Sequence, residues 1–95
     1  MKKISANILD GKFEHLVDED NLQITHLQIK KGDEIPSHKS DKSVVVVIYK
    51  GKVDFKGEHG NQIIIPGDII TMDPNEIHAL KALEDSDLMV IKVRI

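Results

Sequence analysis

Two histidines, His38 and His78, stand in the turn-rich segments of a chain that has no cysteine. A neutral imidazole can ligate a first-row metal or serve as a hydrogen-bonding handle for a small molecule. His38 and Ser40 are two residues apart, so on an extended chain their side chains point to one face. His78 follows the turn Asp73-Pro74-Asn75-Glu76 and shares a face with Leu80 and Ala82. Without thiolates, a metal would have to be held by His, Asp, Glu or water. A catalytic metal usually takes about three protein ligands, so His38 and His78 would need help from His26, Glu34 or Asp41. Other chemistries find no support. There is no Ser-His-Asp order, no paired-carboxylate arrangement and no glycine-rich phosphate loop, since Gly57 and Gly60 flank a hairpin and open no helix. His15, His59 and the acidic cluster Asp18-Glu19-Asp20 read as surface features.

These histidines must be positioned by strands. Residues 44–49 are apolar on both faces, with Val44, Val46 and Ile48 on one and Val45, Val47 and Tyr49 on the other. Residues 52–56 alternate cleanly, placing Val53 and Phe55 inward and Lys52, Asp54 and Lys56 outward. Residues 22–30 alternate only loosely, so the face taken by His26 stays open. Short strands are expected at 12–17, 62–65, 69–72, 77–83 and 88–95, the last with Met89, Ile91, Val93 and Ile95 alternating against Lys92 and Arg94. A further edge strand is expected in the first ten residues, with Ile4, Ala6 and Ile8 on one face, before a turn at Asp10-Gly11. Many short strands joined by Gly, Pro, Asp and Asn turns indicate an antiparallel sandwich or barrel.

The glycines and histidines carry a more specific resemblance. Gly32, His38 and Gly51 fall at the spacing of the first cupin motif, which reads G, five residues, H-x-H, three or four residues, E, six residues, G. Gly67, Pro74 and His78 follow the second, which runs from a glycine through a proline turn to a histidine. The chain thus resembles a small single-domain member of the cupin superfamily. That resemblance implies an all-β fold, the antiparallel double-stranded β-helix or jelly-roll barrel, with His38 and His78 projecting into its open mouth. The chain departs from the motif at Ser40, where the second histidine would stand, and at Val44, where the glutamate would stand. Two of the four usual metal ligands are absent.

The resulting expectation is a small-molecule-binding module with a partly lost metal site. Ligand contacts are assigned to His38, Ser40, His78 and Val44, in a cavity walled by Val44, Val46, Ile65, Leu80 and Ile91. The alternatives are a metal-dependent enzyme of the oxygenase, isomerase or epimerase type, using one Zn, Fe, Ni, Mn or Cu ion at His38 and His78, and a purely structural or regulatory dimer.

Ninety-five residues make one domain, residues 1–95, with 1–20 as an N-terminal strand region. Charged residues are 31% of the chain and the net charge is −3, which argues against a nucleic-acid partner. Phe13, Tyr49 and Phe55 are too few to form a base-stacking platform. No apolar run is long enough to span a membrane or to serve as a signal peptide, so a cytoplasmic protein is expected. If Val44, Val46 and Ile48 point inward, then Val45, Val47 and Tyr49 form an apolar outer patch, and a homodimer through that patch is expected.

Overall fold

The computed structural model describes residues 1–7, 13–58 and 60–94, which contain nine β-strands and no helix. The strands are β1 (Phe13–Asp18), β2 (Leu22–Ile29), β3 (Glu34–His38), β4 (Ser43–Lys50), β5 (Val53–Gly57), β6 (Gly60–Ile64), β7 (Ile69–Met72), β8 (His78–Ala82) and β9 (Ser86–Val93). They form a five-stranded sheet in the order β1-β2-β9-β4-β7 and a four-stranded sheet in the order β3-β8-β5-β6. The pairings are antiparallel, so the fold is the all-β jelly-roll barrel. No helix among the described residues is long and apolar enough to cross a membrane.

The core lies between the sheets and is built from β-branched and leucine side chains, as expected of a chain so poor in aromatics. Val44, Val46 and Ile48 of β4 are buried, as are Val53 and Phe55 of β5, Leu80 and Ala82 of β8, and Leu88 of β9. The alternation read from residues 44–56 therefore gives the correct inner face.

Three expectations differ from the structure. Residues 1–7 form no strand and are exposed, and Asn7 anchors their end by bonding the Glu14 carboxylate through its backbone and side-chain nitrogens. Ile8 and the expected turn at Asp10-Gly11 lie outside the described residues, as do His59 and Ile95. The last strand is inverted. Residues directly opposite in an antiparallel ladder share a face, and β9 pairs Val90 with Val46 and Lys92 with Val44. Lys92 thus faces the barrel interior, while Ile91 takes the outer face with Val45. Ile65 does not wall a cavity either, being exposed after the end of β6.

On β2 the ladder resolves the ambiguity of His26. Thr25 and Leu27 lie opposite Val90 and Leu88 and face inward, so His26 points outward. It is nevertheless 2% exposed, because Glu14, Asp87 and Tyr49 surround it on that face. Its Nε2 lies 2.8 Å from Asp87 Oδ1 and its Nδ1 3.6 Å from Glu14 Oε2.

The turn between β4 and β5 shows why a glycine is needed at position 51. Its φ is +91°, a conformation costly for L side chains, and an added Cβ would run into Ser86 and the Asp85 carbonyl. Close approach is required because Ser86 ties the two turns together. Its Oγ accepts from the Lys52 N–H and donates within reach of the Lys52 and Glu84 carbonyls.

Candidate functional site

His38 ends β3 and His78 begins β8, and the two are paired across the ladder. Their ring centroids are 4.0 Å apart with planes at 64°, an edge-to-face arrangement. The loops that carry them are fastened together, since the Asn75 N–H donates to the Ser40 carbonyl at 2.6 Å. Asn75 takes a positive φ of 68°, which asparagine tolerates better than most residues. Glu76 braces the same turn by accepting from the Asp73 N–H, and Glu58 accepts from the Ile77 N–H.

Each imidazole is fixed by a backbone carbonyl two residues before it. His38 Nδ1 lies 3.0 Å from the Pro36 carbonyl oxygen, and His78 Nδ1 lies 3.1 Å from that of Glu76. A carbonyl only accepts, so Nδ1 carries the proton in both rings, and in the neutral form each Nε2 presents a lone pair. His78 is buried, while His38 is exposed at the rim. Burial pushes the His78 imidazole down from its ordinary range. The bond to the Glu76 carbonyl opposes this, and the neighbouring His38 and Lys92 reinforce it.

Both rings line a cavity of about 570 Å³ between the sheets. That volume lies within the range typical of small-molecule sites. Its walls are mainly apolar, with Leu27 and Ile29 from β2, Ile35 from β3, Val44 from β4, Val90 from β9, and Phe13 at the entrance. Polar groups are few. Besides the two histidines they are the mutually bonded His15 and Thr25, the carboxylates Asp33 and Glu34, and Lys92.

Of the expected site residues, the structure brings together His38, His78 and Val44. Ser40 is not among the lining residues. Its hydroxyl accepts from the Lys42 N–H, a local turn contact typical of serine. Lys92, His15 and Thr25 were not anticipated. The one signal for Lys92 was its place two residues after Val90, which depends on knowing the face of β9.

Among the described residues, no group of three or more His, Asp or Glu side chains is placed to hold a metal ion. Of the further donors considered, His26 points to the opposite face of its sheet, and Asp41 lies 3.7 Å from Arg94 at the surface. Glu34 is four residues along β3 from His38, roughly 13 Å at strand rise, and reaches Lys81 at 4.0 Å. Two imidazoles fall short of the three protein ligands that a catalytic metal centre usually takes.

Comparison with known families agrees with this geometry. A profile of the AraC-like ligand binding domain matches residues 22–94. The chain belongs to that family. Its architecture is that of several solved cupins. A conserved protein of unknown function from Streptococcus pyogenes superposes with a TM-score of 0.82 at 25% identity, covering 100% of this chain and 96% of that one. An RmlC-like cupin from Desulfovibrio desulfuricans superposes with a TM-score of 0.86 at 19% identity, covering 98% and 96%. The DMSP lyase DddQ from Ruegeria pomeroyi gives a TM-score of 0.78 at 20% identity, with 87% of this chain matched to 46% of that one. The last two likenesses show the fold alone. No curated protein matched significantly by sequence.

Proposed function

We propose that this cupin is a small-molecule-binding module whose ligand enters the mouth between the sheets and is met there by His38 and His78. The observation that carries this reading is a pair of imidazoles, each with Nδ1 engaged by a backbone carbonyl and a lone pair on Nε2, lining a largely apolar cavity of about 570 Å³. Placed polar groups at one end of an apolar cavity orient a ligand while its body is desolvated. Family membership supports binding as the general role. The test is a thermal-shift screen of metabolites against the wild type and against Val90→Trp, which fills the cavity. A ligand at 100 times its Kd adds about 2.7 kcal/mol, and on a domain of this size that is a shift of roughly 10 °C or more. Hits should be lost in the filled variant. A broad screen without hits, or hits that persist in Val90→Trp, would contradict the reading.

A second reading, metal-dependent catalysis at His38 and His78, draws on one observation. Nδ1–H held by a carbonyl is the usual arrangement of a metal-ligating histidine. Metal analysis of protein purified without an affinity tag decides it. About one first-row metal per chain, lost in both His38→Ala and His78→Ala, would support that reading, and metal-free protein would contradict it.

We further propose a homodimer through the outer face of β4. Val45 and Val47 are half-buried there, Tyr49 is 45% exposed, and Ile91 and Met89 flank them across the ladder. Residues 1–7 do not bury themselves against this face, and Ile4 stays 49% exposed. A second copy covers such a patch, and the nearby Glu14 and Asp87 carboxylates are already turned to His26. Val47→Glu should give monomers by light scattering with an unchanged sheet spectrum. A wild type that is monomeric at tens of micromolar would refute the dimer.

A further inference from the structure

Granted that the cavity is the binding site proposed above, the geometry points to a ligand class: we infer that the barrel takes a small organic carboxylate, its charged end on Lys92 and its hydrocarbon body along the apolar wall. Lys92 faces inward because it pairs with Val44 on β4 and Gln23 on β2, and it lines the cavity with His38 and His78. No ion pair engages it among the described residues. A lysine half-buried in the cavity wall, with no carboxylate partner among the described residues, leaves its ammonium open to an anion.

The other charges are arranged to suit. Asp33 and Glu34 border the cavity at the far end of β3 from His38, but Glu34 turns its carboxylate to the outer face, since the next residue, Ile35, pairs with the inward Leu80. The Asp33 carboxylate is already engaged by the Lys30 N–H, and that of Glu34 lies 4.0 Å from Lys81. An anion therefore finds a cation and two imidazoles at one end and the Asp33 carboxylate at the other, which fixes its direction. Between them lie Leu27, Ile29 and Val90, a wall for a short alkyl body.

The test uses hexanoate, 1-hexanol and hexylamine as probes of equal length, with affinities measured by titration calorimetry on the full chain. Wild type should bind hexanoate at least about tenfold more tightly than hexanol, with hexylamine weakest. The acid-to-alcohol ratio should fall to about one in Lys92→Met and survive in Lys92→Arg, and added salt should reduce it. Lys92→Gln serves as a second neutral variant should the methionine disturb the fold. Alcohol binding as tight as acid, or a preference unchanged in both neutral variants, would overturn the carboxylate assignment and leave the binding reading standing. Failure of all three probes to bind would overturn both.

Discussion

His38 and His78 meet edge to face across the β3–β8 ladder, with ring centroids 4.0 Å apart and Nδ1 of each ring held by a backbone carbonyl of its own chain segment. The pair is thereby set in one tautomer before any ligand arrives. Phe55 stacks against His78 with ring centroids 5.8 Å apart and planes at 18°, so the buried ring cannot turn without disturbing the core.

That environment predicts a pH dependence. Burial holds His78 below its ordinary value, which is about 6.5 in an unfolded chain. As pH falls, the unfolded chain takes up this proton first, so stability is complete above about 6.5 and declines as pH drops through that value toward the folded one. Urea midpoints measured from pH 8 to pH 5 should fall more in the wild type than in His78→Gln. Parallel profiles would show that His78 protonates freely in the folded protein.

Phe55 is 4% exposed and contributes to both the core and the seat of His78. Phe55→Ala should cost about 3 to 5 kcal/mol through the cavity it leaves. Asp54 points the other way, with Oδ1 buried and without a hydrogen-bond partner among the described residues, so Asp54→Ala should cost little or stabilise slightly. Equal denaturant midpoints for the two variants would contradict this account of β5.

Gly51→Ala should be among the most damaging single-methyl additions in the chain. It combines a positive φ with a collision against Ser86 and the Asp85 backbone, which no side-chain rotation relieves. A loss of several kcal/mol is expected, more than the ~1 kcal/mol of a left-handed glycine alone. The check is a chemical denaturation curve, with Gly32→Ala as comparison, since a Cβ at Gly32 meets open space at the same φ.

Much of this fold was legible because one-sided burial leaves a period of two. Val53 and Phe55 alternate against charged neighbours, and Val44 to Ile48 sit in a strand with hydrogen-bonded neighbours on both sides. The same logic misled at β9, where Met89, Ile91 and Val93 are the more apolar set yet take the outer face. The outer face of this sheet is itself apolar, so hydrophobicity could not choose between the two. Residues 1–7 carry a strand-like pattern but find no ladder partner. Ser40 showed the right position for the mouth, but a serine beside a turn can satisfy backbone instead. The Glu14-His26-Asp87 cluster was invisible because its members are far apart in sequence and meet only through the β1-β2-β9 ladder.

The central claim, that the inner cavity binds a small molecule against the histidine pair, is tested most directly by the imidazole carbon–proton resonances of the protein titrated with the strongest screen hit. His38 and His78 should shift together and saturate with the calorimetric Kd, while His26, on the opposite face of its sheet, stays in place. A saturating ligand that leaves His38 and His78 unmoved would contradict the account.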